Sequence, residues 1–362
     1  MISRDEARRV IFVNPFGIGD VLFTTPAIRA FKDAVPDSFL GYWCNERVAG
    51  ILKNHPYIDK IFPLSRGDIK KLYIKSWLGG ISSSLDLKRN IKKERFAISI
   101  DFSLDDYYSK ISKSAGIKKR IGFDYKNRGR FLTDKVLIDG YSGKHVVEYY
   151  LDLLKFFGIT PKSKRLELFI PEDDAQKAKE TLASYGIKDG DLVVGIAPGA
   201  GASWGKDASL KRWPPQKYAK VADKIADTFA AKIVILGDGS EKPIADTITG
   251  MMRNKAVDLV GKTSLEGFAA ILSRLNLLVT NDGGPLHMAV ALGVKTVSIF
   301  GPVDDKVYGP YPPNDDHIVV THEVQCRPCY QKFRMPECTR DKVCVIAVSI
   351  EDVFQSARRL LG

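Results

Sequence analysis

The chain has 362 residues, 44% hydrophobic and 27% charged, the balance of a soluble globular protein and too long for one core. No apolar run reaches the length of a membrane span, and the basic opening leads into a strand pattern instead of a signal peptide, so cytoplasm is the expected compartment. Of 55 Lys/Arg and 43 Asp/Glu, residues 1–170 hold 31 and 19, so the whole net charge of +12 lies in that half. It should face something anionic (nucleic acid, phosphorylated sugar or membrane headgroups) or else be a merely soluble surface.

In chain order, Arg9 to Asn14 reads as a strand and Val21 to Phe31 as a helix. Between them, Pro15-Phe-Gly-Ile-Gly-Asp20 is a loop whose Gly17 and Gly19 lack the third glycine of a dinucleotide fingerprint. Asp20 at the helix start has two readings: an N-cap, or a general base kept ionised by the helix dipole at the carboxyl end of a strand. Phe39 to Trp43 and Ile61 to Leu64 are further strands. Over 65–93, basic residues such as Lys70, Lys71, Lys92 and Lys93 interleave with Tyr73, Ile74, Trp77 and Leu78. That pattern suits a membrane surface or lipid-anchored acceptor, or a solvated helix with a core face. Phe96 to Ile100 is a strand ending at Asp101, Lys118 to Phe123 a basic turn, and His145 opens a helix over Val146 to Phe157.

Leu166 to Ile170 reads as a short strand and Pro171 as the start of a polar helix. The expected division is a first domain over 1–170, a linker over 171–190, a second domain over 191–347 and a closing helix over 348–362. In the second half, each strand pattern is followed by a small or glycine-bearing loop. Leu192 to Ala197 leads to Pro198-Gly-Ala-Gly-Ala-Ser203, and Lys232 to Leu236 leads to Gly237-Asp-Gly-Ser-Glu241. Lys211-Arg-Trp-Pro214 precedes a helix over 216–228, and Leu259 to Leu265 is another turn into a helix. Such loops form a rim at the carboxyl edge of one parallel sheet, where α/β ligands bind.

The organising stretch is Val279 to Gly293. An apolar strand over 275–280 runs into Asn281-Asp-Gly-Gly-Pro, and a helix follows over 285–292 before a strand over 296–300. Gly283 and Gly284 let a ligand approach bare backbone at a helix N-terminus, which suits phosphate, while Asp282 and His287 flank the turn. An ordinary tight βα turn would carry the same glycines. Near the end, Cys326, Cys329, Cys338 and Cys344 are spaced C-x2-C-x8-C-x5-C. Two readings stand, a structural zinc or free, redox-active thiols, because the spacing matches no standard zinc ribbon.

The motifs together resemble glycosyltransferase family 9, the ADP-heptose:lipopolysaccharide heptosyltransferases, with features closest to the branch that adds the second heptose. The likeness rests on Gly17-Ile-Gly-Asp20 with Thr25-Pro-Ala-Ile28, Pro198-Gly-Ala200, Lys211-Arg-Trp-Pro214, Gly237 to Glu241, Gly261 to Leu265, Asn281 to His287 and Phe300-Gly-Pro302. It implies an α/β fold of GT-B type, two Rossmann-like domains facing across a cleft, and inverting transfer that requires no cofactor or catalytic metal. By this resemblance Asp20 is the base, with Gly19, Arg120 and His145 beside the acceptor. Lys211 would meet the donor diphosphate, Glu241 the ribose, and the turn with Thr263, Ser264 and Leu265 the adenine. Asp282 would hold sugar hydroxyls. Gly283, Gly284, His287, Pro198, Gly199 and Ala200 would complete the donor site. The implied partners are ADP-heptose, a phosphorylated, Kdo-containing lipopolysaccharide core and the inner membrane surface, not nucleic acid. The implied location is peripheral, at the inner face of the cytoplasmic membrane. The family often has Ser or Thr where this chain has Gly283.

Two other readings compete. A sugar-nucleotide epimerase of the same architecture would need its acids and bases in the second half and would have no use for Asp20 or the basic first half. A non-catalytic sugar-nucleotide-binding module would have no use for Asp20 and Lys211 together.

Overall fold

In a computed structural model that describes residue 2 and residues 5–362, the chain divides into two units, the first ending at Leu166 and the second beginning at Glu167. Each unit is built on one six-stranded parallel sheet.

The first sheet contains β1 (Arg9–Val13), β2 (Phe39–Cys44), β3 (Lys60–Pro63), β4 (Ile98–Asp101), β5 (Lys119–Tyr125) and β6 (Asp134–Ile138). Their order is β3-β2-β1-β4-β5-β6, and every neighbouring pair is parallel. β1 is central and Val10 to Val13 are wholly buried, which is why it reads as an unbroken apolar run. The chain leaves β1 toward β2 and β3, then returns to the other flank for β4, so a topological switch point lies between β1 and β4.

The second sheet repeats the plan with β7 (Val193–Ala197), β8 (Lys232–Ile235), β9 (Ala256–Asp258), β10 (Leu277–Asn281), β11 (Lys295–Phe300) and β12 (His317–Thr321). Its order, β12-β11-β10-β7-β8-β9, puts the switch point between β7 and β10. The helix Ile350–Leu361, capped by the Ser349 side chain on the Asp352 N–H, buries Val353 and Ala357 in this unit's core. Trp213 is buried in the same core and donates from its indole nitrogen to the Val348 carbonyl at 3.1 Å.

Several expected elements differ. The helix expected over 21–31 is two helices, Ile18–Leu22 and Thr25–Ala34. Pro26 has no N–H for the Leu22 carbonyl, which instead accepts from Thr25 Oγ1 at 2.7 Å. The basic turn at Lys118 to Phe123 is strand β5, its Ile121 and Phe123 buried behind a charged start. Among the described residues, Leu166 to Ile170 forms none of the strands. The stretch 171–190 is largely the helix Glu172–Ser184, which buries Ala178 and Leu182 against the helix Leu265–Leu272 within the second unit.

Candidate active site

Six parallel strands end at the carboxyl edge of the second sheet, and Asn281, at the end of β10, ties three segments there. Its side-chain NH2 donates to the carbonyls of Pro198 (2.7 Å) and Gly199 (3.0 Å), and its Oδ1 accepts from the Trp213 N–H at 3.0 Å. Asn281 is fully buried, so three backbone groups at the switch point depend on one amide. Thr280 adds a bond from Oγ1 to the Ala197 carbonyl at 2.9 Å. The Pro-Gly-Ala loop, the Lys-Arg-Trp-Pro segment and the Asp-Gly-Gly turn are thereby fixed to one another.

Lys211 and Asp282 meet in this crevice, Nζ to Oδ2, at 2.6 Å. The contact is an ion pair by distance, with angles unlike those of a hydrogen bond. Both side chains are nearly withdrawn from water, and the Lys211 ammonium also lies 4.1 Å from the centre of the Trp204 ring. Trp204 in turn packs edge-on against Tyr330. Gly283 is extended, at φ 171°, and the nearest atom to a Cβ placed there would be the Ala200 carbonyl carbon at 3.6 Å. The space would accept the Ser or Thr that the family often carries. Gly284 opens the helix Gly284–Ala291, with its free N–H groups at the same crevice, and His287 lies buried within that helix.

Glu241 completes the edge. Its carboxylate accepts from the Asp238 N–H at 3.2 Å while Asp238 caps the same turn, a reciprocal capping box. A Cβ on Gly199 would lie 1.6 Å from Glu241 Oε1, so the glycine is required by close approach. Burial, then the neighbouring Asp238, raises the Glu241 carboxyl above its ordinary range. One loop further out, Gly261 takes φ +71° with its Cα side packed on Gly239, and Ser264 caps the helix Leu265–Leu272 by accepting from the Gly267 N–H. Thr263, Ser264 and Leu265 therefore stand at the β9 end of the same edge.

The cysteine segment belongs to this edge as well. The N–H groups of Cys329 and Tyr330 both donate to the Pro302 carbonyl, and Arg327 Nε donates to Gly301, in the loop after β11. Cys326, Cys329, Cys338 and Cys344 line one pocket of about 30 Å³ beside Leu210 and Pro302. Thiolate chemistry would suit a zinc ion, but among the described residues no three His, Cys, Asp or Glu side chains converge as a metal site demands. All five cysteines are free; Cys329 Sγ contacts the Cys326 carbonyl, and burial followed by the neighbouring thiols pushes Cys329 up to about 11.

In the first unit, Asp20 lies at the switch point between β1 and β4. The N-cap of its helix is Gly17, so Asp20 is not the cap: it sits inside the first turn, half-exposed. Asn14 Nδ2 donates to the Asp20 carbonyl at 2.9 Å, and Asn45 Nδ2 donates to the carbonyls of Pro15 and Phe16, which fixes the loop. Gly19 precedes Asp20 in the same turn. His145 is a helix cap: Nδ1 accepts from the Val147 N–H at 3.1 Å, and its ring packs edge-on against Phe23. Arg120 is not brought to this edge. It lies near the start of β5 and donates to the carbonyls of Phe131, Ile117 and Lys118.

Sequence reasoning assigned no role to Asn281, Trp204 or Asp101. Asp101 ends β4 at the switch point, fully buried; burial raises its carboxyl to about 7 against the opposing bond from the Ser103 N–H at 2.8 Å. The legible signal for Asn281 was a polar amide closing an all-apolar strand just before two glycines.

Two doubly wound sheets, each with a polar site at its switch point, make up a fold of GT-B type. The model of glycosyltransferase family 9 (heptosyltransferase) matches residues 84–339, and the chain belongs to that family. It is therefore a glycosyltransferase, which removes the epimerase and binding-module readings. It is 27% identical to lipooligosaccharide heptosyltransferase 2 of Campylobacter jejuni, over 97% of this chain and 98% of that one. Its fold is similar to that of a family 9 glycosyltransferase from Veillonella parvula, with TM-score 0.82 and 24% identity over 100% and 98% of the two chains. It is also similar to Escherichia coli heptosyltransferase WaaC solved with ADP, with TM-score 0.72 and 18% identity over 97% and 99%.

Proposed function

We infer that this chain moves a heptose from ADP-heptose onto the phosphorylated, Kdo-containing inner core of lipopolysaccharide. The reaction is inverting and metal-independent, and takes place at the inner face of the cytoplasmic membrane. The observation that carries this reading is the convergence of Lys211, the Asp-Gly-Gly turn and the Pro-Gly-Ala loop at one switch point, where Lys211 pairs with Asp282 and Asn281 bonds the Pro-Gly-Ala loop and the Trp213 N–H. The names of the relatives favour a lipopolysaccharide acceptor, and the ADP held by WaaC favours an adenosine diphosphate donor.

In this mechanism the second unit holds the donor. The diphosphate takes the N–H groups at the start of the helix Gly284–Ala291 and shares the Lys211 ammonium with Asp282, so positive charge meets the leaving group without a metal ion. Glu241 receives the ribose hydroxyls and Asp282 the sugar hydroxyls. Asp20 accepts the proton of an acceptor hydroxyl as its oxygen bonds to the anomeric carbon. The bond from that carbon to the β-phosphate oxygen breaks, and its electron pair leaves with ADP. A fixed base of this kind contributes about 10²–10⁴ in rate.

The test is incubation of purified protein with ADP-heptose and a heptose-deficient core acceptor, with and without EDTA, read by mass spectrometry. The acceptor should gain one heptose at equal rates in both. No gain, or a gain only with added Mg²⁺, would contradict the reading.

A further inference from the structure

The segment 66–93 is two helices, Arg66–Lys75 and Trp77–Lys93, joined at Ser76 into a hairpin. Its base is anchored. Ile69, Leu87 and Ile91 are buried in the core of the first unit, and Asp68 forms a capping box with Ser65. Its tip is not: Ile74 is 86% exposed, Trp77 66% and Leu78 63%, the three large apolar side chains that flank the turn. The tip is also ordered by packing, since the Tyr73 ring lies so close to Gly80 that a Cβ there would meet it at 2.5 Å.

Charge and apolarity separate along the hairpin axis. On the second helix Leu78, Ile81 and Leu85 fall at i, i+3 and i+7, one stripe near the tip, of which Leu78 and Leu85 are more than half exposed. Basic residues follow only beyond it, at Lys88, Arg89, Lys92 and Lys93; Leu78 and Lys88 are about 15 Å apart along the axis at helical rise. On the first helix Lys70 and Lys71 likewise lie below Ile74. Lys75 alone is charged at the tip, and a lysine there can carry its ammonium back to the headgroups along its own alkyl stem. The hairpin holds eight basic residues against Asp68 and Asp86. A protein partner has no reason to order apolar and basic side chains by depth. A bilayer does: hydrocarbon at the tip, anionic headgroups further back along the hairpin.

We propose that this hairpin is the membrane-docking element of the chain, with Ile74, Trp77 and Leu78 entering an anionic bilayer and Lys70, Lys71, Lys88 and Lys92 at the headgroup level. This deepens the transfer reading by placing the enzyme where a lipid-linked acceptor lies, but docking itself needs neither donor nor acceptor.

The test uses the full chain with vesicles of phosphatidylethanolamine and phosphatidylglycerol, and with phosphatidylcholine vesicles as the uncharged control. Wild-type protein should sediment with the anionic vesicles only. The combined change Ile74→Ser, Trp77→Ser and Leu78→Ser, and separately Lys70→Glu with Lys71→Glu, should each weaken that binding about tenfold or more, the loss of a few basic or apolar contacts with the surface. All these side chains are exposed, so the melting temperature should hold. Trp43 and Trp213 are already buried, and Trp204 packs against Lys211 and Tyr330 in the second unit, so the vesicle-induced blue shift of tryptophan emission should vanish in Trp77→Phe while binding persists. The apolar variant should still turn over a deacylated, water-soluble acceptor at the wild-type rate. Absence of binding to anionic vesicles, or binding unchanged in the apolar variant, would overturn the proposal. So would a wild-type dimer that the apolar variant dissolves, which would make the tip a self-association surface. Failure of the wild type on the soluble acceptor would instead overturn the transfer reading and leave the vesicle result standing.

Discussion

Lys211 and Asp282 hold each other at 2.6 Å with only 3% and 8% of their side chains exposed. A pair this buried is stable mainly because neither charge can be left alone: removing one partner of such a pair costs about 3–5 kcal/mol, whereas replacing both is often neutral. Lys211→Ala should therefore destabilise the second unit strongly in urea, and Lys211→Met with Asp282→Asn should recover most of the loss. The recovered double variant should be folded yet bind ADP poorly by calorimetry. Wild-type ADP affinity in that variant would remove Lys211 from the donor site.

Gly199 and Glu241 make a second, steric prediction. With Glu241 Oε1 at 1.6 Å from where a Cβ would stand, Gly199→Ala must push the carboxylate out of its capping box. The expected loss is about 1–3 kcal/mol, the usual range for overpacking. The effect should shrink in a Glu241→Ala background and persist in Glu241→Gln, which keeps the volume. Equal losses in both backgrounds would show that backbone strain, not the carboxylate, is responsible.

Asp101 predicts a pH dependence. Its folded-state carboxyl titrates near 7, raised by burial, against an ordinary value near 4 in the unfolded chain. Between those values the folded state binds more protons, so Asp101 favours folding at low pH and its contribution is lost as pH rises toward 7. His55 acts in the opposite sense: burial, then Arg29, lowers it to about 4, so its contribution grows as pH rises from 4 to 6.5. Asp101→Asn should remove the first term alone. Melting temperatures across pH 4–8 should then rise more steeply, or fall less, in the variant than in the wild type; parallel curves would contradict the assignment.

The sheets were legible where their strands are central. β1, β7, β10 and β11 are buried on both faces and read as apolar runs, and the loops after them carry the glycines that a parallel sheet places at its carboxyl edge. Of the edge strands β3 was read, but β6 and β9 were missed for a physical reason: β6 exposes Leu137 and begins Asp-Lys, and β9 has three residues, all half-exposed. Of the site, the residues with unusual chemistry stood out, whereas those that act by burial did not. Asn281 is ordinary in sequence and matters because three loops close on it. Arg120 illustrates the opposite: its charge suggested a ligand, but its Nε and Nη1 bond the carbonyls of Phe131, Ile117 and Lys118 near the start of β5. The cysteines follow the last motif in sequence yet return to hydrogen-bond the loop after β11, a relationship that only tertiary structure carries.

The central claim is a division of labour, with Asp20 of the first unit activating the acceptor and Lys211 with its glycine loops holding the donor in the second. Single-turnover transfer by Asp20→Asn, measured beside its calorimetric affinity for ADP, tests it most directly. The substitution keeps the shape of a half-exposed side chain and leaves the loop bonds of Asn14 and Asn45 in place. The account predicts unchanged ADP affinity and melting temperature with transfer slowed about 10²–10⁴-fold, the contribution of a general base. Transfer at near the wild-type rate would contradict it.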